Sequence, residues 1–158
     1  MSRSSRQSGG GRERILPSSH ALVGPDGSFA LGLRTSPFRE VNALDAKLRL
    51  GPITLPRRAK DLTLKEWQHF ALVNDEVYVS LALFNAKRIG LVQIIVYDRV
   101  RDRVLEYERR CLPQDITLAD QLYSGDSSFD KGAFRVHFAN RLERGFHELS
   151  FSAPGDRK

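Results

Sequence analysis

Two neighbouring segments, residues 76–84 (EVYVSLALF) and 90–98 (GLVQIIVYD), are apolar at both odd and even positions. Side chains of an extended chain alternate between two faces. In the first segment Val77, Val79, Leu81 and Leu83 then point one way, and Tyr78, Ala82 and Phe84 the other. Strands of that kind are expected in the middle of a sheet with both faces covered. The sheet must therefore curl round on itself or be sandwiched.

The flanking sequence extends this into an all-β pattern. Residues 67–73 read as a strand joined to the first segment through Asn74-Asp75, two residues that tolerate positive φ in a tight hairpin. After the charged turn at residues 99–103, residues 104–111 (VLEYERRC) alternate. Leu105, Tyr107 and Cys111 share one face, and Glu106, Glu108 and Arg110 face water. Residues 133–139 and 146–152 alternate in the same way and predict a hairpin around 140–145. Upstream, Gly24-Pro25-Asp26-Gly27 is a turn signal before a short apolar strand at residues 28–33, and a weak strand is expected at 48–54, closed off by Pro56. Residues 113–130 read as a long loop with a helical turn. No strand–helix–strand alternation is present, which argues against a parallel sheet. The expected fold is an antiparallel meander forming a curved, closed or partly open barrel, with a two-sheet β sandwich as the alternative.

The bulk numbers agree with one globular domain over residues 20–158: 158 residues, 41% hydrophobic and 28% charged. Of the net charge of +6, half comes from residues 1–14, where Arg3, Arg6, Arg12 and Arg14 face a single acid, Glu13. Residues 1–15, rich in Ser, Gly and Arg, are expected to be a disordered arm whose only function would be non-specific attraction to anionic surfaces. The body is mildly basic without a cluster, so no specific nucleic-acid partner is expected. Cys111 is the only cysteine, which excludes an internal disulfide and points to a reducing, cytoplasmic setting. The start lacks the apolar core of a secretory signal, and Gly9-Gly10-Gly11 interrupts any amphipathic transit helix. No apolar run approaches the ~20 residues of a transmembrane helix.

Leu64-Lys65-Glu66-Trp67-Gln68-His69-Phe70, the strand that ends at Phe84, Tyr97-Asp98 and the block FRVHFANRLERGFHELSFSA from Phe134 together resemble a known family, domain of unknown function 2804. Its members have a basic or polar residue before a Trp-x-x-aromatic strand, followed by a β-meander with a tyrosine or aspartate near its end. The resemblance covers most of residues 24–153. It implies the first lobe of a two-lobed architecture, or a shortened member of the family, because family members are about twice this long and carry Trp/Arg-rich signatures in their second half. It also implies a layout distantly similar to lipocalin-like two-lobed proteins, among them carotenoid-hydrating enzymes and a lipid-handling stress protein. The family supplies no catalytic residue to transfer.

Candidate site residues follow from the apolar strands. Trp67 and His69 lie two apart and so share a face. If that face lined a barrel, Trp67, His69, Tyr78, Phe84 and Tyr97 would form an aromatic wall with one titratable donor, which suits a hydrophobic small molecule or lipid. Alternatively, Trp67 is a core plug and His69 its hydrogen-bonded neighbour. The four histidines, His20, His69, His137 and His147, lack the i, i+2 or i, i+4 spacing of metal ligands, although His137 and His147 sit on neighbouring strands; no metal or cofactor is expected. Cys111 stands beside Arg109 and Arg110, cations that lower a thiol pKa, against the simpler reading of a small apolar filler. No Gly-x-Ser-x-Gly, Walker or dinucleotide glycine pattern occurs. Charges between Asp98 and Arg110 read as a solvated hairpin. Three functions remain: a lipocalin-like binding module, an enzyme on lipid or isoprenoid substrates using His69 and an acid, or a structural lobe that packs on a second half or on another copy.

Overall fold

A computed structural model of the chain describes residues 15–154. The expected arm over residues 1–15 lies outside them except for Ile15.

The apolar segments form the middle of a four-stranded antiparallel meander. Glu66–Val73 (β3), Val77–Asn85 (β4), Gly90–Asp98 (β5) and Arg103–Cys111 (β6) pair in the order β3-β4-β5-β6. They follow two short strands, Arg49–Leu50 (β1) and Ile53–Thr54 (β2), and one helix, Arg57–Thr63 (α1). A second meander holds Ile116–Thr117 (β7), Gly125–Lys131 (β8), Phe134–Arg141 (β9) and Phe146–Ser152 (β10), in the order β10-β9-β8-β7. Neither sheet closes, so of the two expected forms the sandwich is the one observed. The reason lies at Pro113–Asp115, a 3-10 turn between β6 and β7. Pro113 lacks the N–H that a ladder needs, and the chain leaves the first sheet there for the second layer.

The two sheets meet through one face each. Leu81, Leu83, Val92 and Ile94 of the first pack on Ile116, Phe129, Phe134, Val136 and Phe138 of the second, with Phe70, Tyr107 and Leu149 at the margin. Phe70 meets Phe138 edge-on at 5.0 Å between centroids. Such interdigitating inner faces are what hold an aligned sandwich together. The expectation that β4 and β5 are covered on both faces is corrected: only the Leu81/Leu83 side is sealed, and Tyr78, Ala82 and Phe84 are half-buried on an open surface.

A polar network sits between the sheets beside this core. Gln68 Nε2 donates to Asn140 Oδ1 (2.7 Å), and Gln68 Oε1 accepts from Ser127 Oγ (2.5 Å). Ser127 Oγ in turn accepts from the Ala119 N–H (2.8 Å). Asn140 Nδ2 reaches the Gln121 carbonyl (3.4 Å), and its Oδ1 also takes His147 Nδ1 at 3.2 Å. That contact requires His147 to carry its proton on Nδ1. Ser127 and Asn140 are fully buried, and among the described residues no buried side-chain polar atom lacks a partner. The network ties β3 to β8, β9 and the 118–124 connection, so it fixes the lateral position of one sheet on the other.

Several local expectations need correcting. Residues 28–33 make only an isolated bridge, Val23 to Phe29, and no regular strand; Gly32 at φ 121° interrupts extension there. The strand expected at 48–54 is a tiny hairpin, β1 and β2, turning at Gly51. Neither Asn74 nor Asp75 has positive φ; instead Asn74 Oδ1 caps the turn by accepting from the N–H groups of Glu76 and Val77. The loop expected at 113–130 contains β8, hidden by the turn-like run Gly125-Asp126-Ser127-Ser128. Its inward Ser127 is tolerated because the network satisfies its hydroxyl.

Asn140→Ala leaves Gln68 Nε2 and His147 Nδ1 without their buried acceptor, and is expected to cost about 2–4 kcal/mol in urea unfolding. Gly90→Ala places a Cβ 2.7 Å from Cys111 Sγ and 2.9 Å from Ile116 Cδ1. Overpacking of that kind is expected to cost about 1–3 kcal/mol by the same measurement.

Candidate functional site

Strand register gathers the outward side chains of the first sheet into four rows. Trp67, Phe84, Leu91 and Arg110 lie side by side across β3 to β6. The next row is His69, Ala82, Gln93 and Glu108, then Ala71, Ser80, Ile95 and Glu106, then Val73, Tyr78, Tyr97 and Val104. All five residues singled out from sequence, Trp67, His69, Tyr78, Phe84 and Tyr97, therefore share one face. It is the outer face of the sheet and not a barrel interior. Trp67 is 65% exposed, Val73 69% and Val104 60%. Sequence reasoning named the aromatics and missed Leu91, Ile95 and Gln93; their spacing two apart in β5 is the signal that places them beside Phe84 and Tyr78.

One end of this face is a shallow open depression of about 400 Å³, lined by Trp67, His69, Ala82, Phe84 and Leu91. Trp67 and Phe84 lie 6.4 Å apart between ring centroids, tilted by 43°. His69 Nε2 is 2.9 Å from Ser80 Oγ, on the neighbouring strand and the same face. At the other end Tyr97 donates to Asp102 Oδ1 at 2.8 Å. That bond and the carboxylate's charge raise the phenol pKa and keep it neutral. The β6 margin carries the charge: Glu106 accepts from Gln93 Nε2 (3.3 Å), and Arg110 Nε lies 3.8 Å from Glu108.

The outer face of the second sheet has the opposite character. Asp126 binds Arg141 (2.8 Å) and faces His137 (3.6 Å), and Asp130 pairs with Arg135 (3.1 Å). One outer face of the sandwich is solvated by charge, and the other is largely apolar with its charges gathered on β6. A contiguous exposed apolar patch rimmed by polar groups marks an interaction surface more often than a solvated face does.

Other candidates disperse. His137 pairs across from Ser150 and His147 from Asn140, so the two histidines sit on opposite faces of the second sheet. Among the described residues no three metal-ligating side chains gather. Cys111 lines an open, charged depression with Arg109, Asp115 and Lys131. Burial and then the Asp115 charge push its thiol pKa up, outweighing Arg109 and Lys131. The neighbouring cations therefore do not activate the thiol, which agrees with the simpler reading of a small apolar filler.

The profile of the family described as Domain of unknown function (DUF2804) matches residues 13–158. The chain belongs to that family. The family match spans both sheets and so takes in the apolar outer face as well as the core. Comparison with curated proteins and with solved structures finds no match. No helix among the described residues is long and apolar enough to cross a membrane.

Two measurements follow from these environments. Alkylation of Cys111 by iodoacetamide near neutral pH is expected to be slower than that of free cysteine and to speed up on unfolding. Asp45, Asp98, Asp115 and Asp126 are held below their ordinary pKa of 3.8, chiefly by hydrogen bonds from Arg57, Arg101, Lys131 and Arg141 respectively. A depressed folded pKa means the unfolded chain takes up protons first as pH falls. The stability from these pairs is present above the unfolded value and disappears as pH drops through the folded ones. The urea midpoint is expected to decline between about pH 5 and about pH 2, with Asp126→Asn removing part of the decline.

Proposed function

We propose that this domain is a docking module that binds an apolar protein surface through the outer face of its first sheet. The observation that carries this reading is the contrast between the two outer faces. Trp67, Tyr78, Phe84, Leu91, Ile95 and Tyr97 stand exposed or half-buried on one, while ion pairs cover the other. Aromatic residues are favoured as interface anchors because each brings large contact area at small entropic cost.

Geometry favours a broad partner over an enclosed ligand. A small-molecule site is usually concave and buries most of its ligand. Here the inward positions of both sheets are filled by Leu81, Leu83, Val92, Ile94, Phe129, Val136 and Phe138. The depression at Trp67 is open, so a lipid lying in it would keep much of its surface in water. The enzyme reading needs His69 beside an acid. Its hydrogen-bond partner is Ser80, and Glu108, the acid of its row, is three strands or about 14 Å away. A second lobe of the same family architecture, or another copy of the chain, offers the kind of surface that fits.

A photoreactive amino acid placed at Gln93 in the full chain, irradiated in the producing cells, is expected to give protein adducts that Leu91→Lys suppresses several-fold. A control at Ser150, outward on the second sheet, is expected to give few. Equal adducts at both positions, or adducts indifferent to Leu91→Lys, would overturn the docking reading. A stoichiometric lipid retained in native mass spectra would favour the small-molecule alternative.

A further inference from the structure

The geometry points to a second copy of this chain as the partner of that face, related by a two-fold axis lying along the strands. The inference rests on the docking reading and deepens it. Sheets packed face to face keep their strand directions within about 30° of each other. A symmetric pair therefore has two simple choices: the axis runs along the strands or across them in the interface plane.

The two choices bring different residues together. With the axis along the strands, each row meets itself in reverse, so β3 lies over β6 of the partner and β4 over β5. Trp67 then faces Arg110, Phe84 faces Leu91, His69 faces Glu108, Tyr78 faces Tyr97, and Val73 faces Val104. Each pairing is favourable: a cation over an indole, an imidazole against a carboxylate, and three apolar contacts. The exposed Glu106 meets Ala71 and keeps its hydrogen bond from Gln93, and Ala82 with Gln93 and Ser80 with Ile95 complete the rows. With the axis across the strands, β6 lies over β6. Glu106 and Glu108 then face Glu108 and Glu106, a cluster of four carboxylates, and Arg110 meets Val104. Like charges brought together at an interface are strongly disfavoured. The charge pattern of β6 thus selects the first arrangement and rejects the second.

The size of the face sets the strength. Four strands about 4.8 Å apart and eight residues at about 3.4 Å each give a footprint of roughly 500 Å² per copy. The pair would bury roughly 1,000 Å², the lower end of specific interfaces, which fits a reversible dimer with a midpoint of roughly ten to a hundred micromolar.

Sedimentation velocity of the full chain over a concentration series tests this. A monomer–dimer equilibrium in that range is expected. Glu108→Arg sets Arg against His69 of the other copy and should weaken the dimer about tenfold or more. Adding His69→Glu to that variant sets a carboxylate against the new guanidinium and should recover most of the loss. Circular dichroism checks that each variant folds. A chain that stays monomeric throughout the series, a Glu108→Arg variant that associates more tightly, or a double variant that recovers nothing overturns the self-pairing. Adducts from the Gln93 photoprobe at a mass other than twice the chain's would also overturn it, while leaving the docking face intact with a different partner.

Discussion

The burial of Leu81, Leu83, Val92 and Ile94 is the constraint on which the rest of this structure depends. These side chains occupy the inward positions of the two central strands of one sheet, and water must be removed from all of them at once. The second sheet supplies the cover with Phe129, Phe134, Val136 and Phe138. Everything else in the sandwich, from the break at Pro113 to the close approach at Gly90, serves to bring that cover into place.

Apolar packing alone would leave the sheets free to slide, because aliphatic and aromatic contacts have little directional preference. Gln68, Ser127, Asn140 and His147 add direction. Each donor in this network has one acceptor at hydrogen-bond distance, and the chain runs from β8 through β3 to β9 and β10. A satisfied buried polar network is costly to disrupt and indifferent to no shift of register. It is the feature that turns two compatible hydrophobic surfaces into one defined arrangement.

Covering one side of the first sheet also determines what happens on the other. β4 and β5 carry apolar residues on both faces, yet the described residues provide a second layer for only one. The consequence is the open face of Trp67, Phe84, Leu91, Ile95, Tyr78 and Tyr97, bordered on β6 by Glu106, Glu108 and Arg110. The second sheet shows no such excess, since its outward positions carry Asp126, Asp130, Arg135 and Arg141 in ion pairs. The asymmetry between the two outer faces is a property of the sequence that packing among the described residues does not use, and a partner is the use we propose for it.

By itself the sequence determined the strands that alternate clearly: β3, β4, β5, β6, β9 and β10 stand within two residues of where periodicity places them. It also determined which side chains share a face, because alternation is a local property of an extended backbone. That is why Trp67, His69, Tyr78, Phe84 and Tyr97 could be grouped before any fold was known. Strand β8 escaped because its inward Ser127 is polar and its first residues resemble a turn; only the hydrogen bonds from distant Gln68 and Ala119 make that residue acceptable inside. Tertiary structure alone decided which of two apolar faces is sealed. Both faces of β4 carry apolar residues in one dimension, four aliphatics on one and Tyr78, Ala82 and Phe84 around Ser80 on the other, and which is sealed depends on where β8 and β9 arrive after the turn at Pro113, a long-range placement.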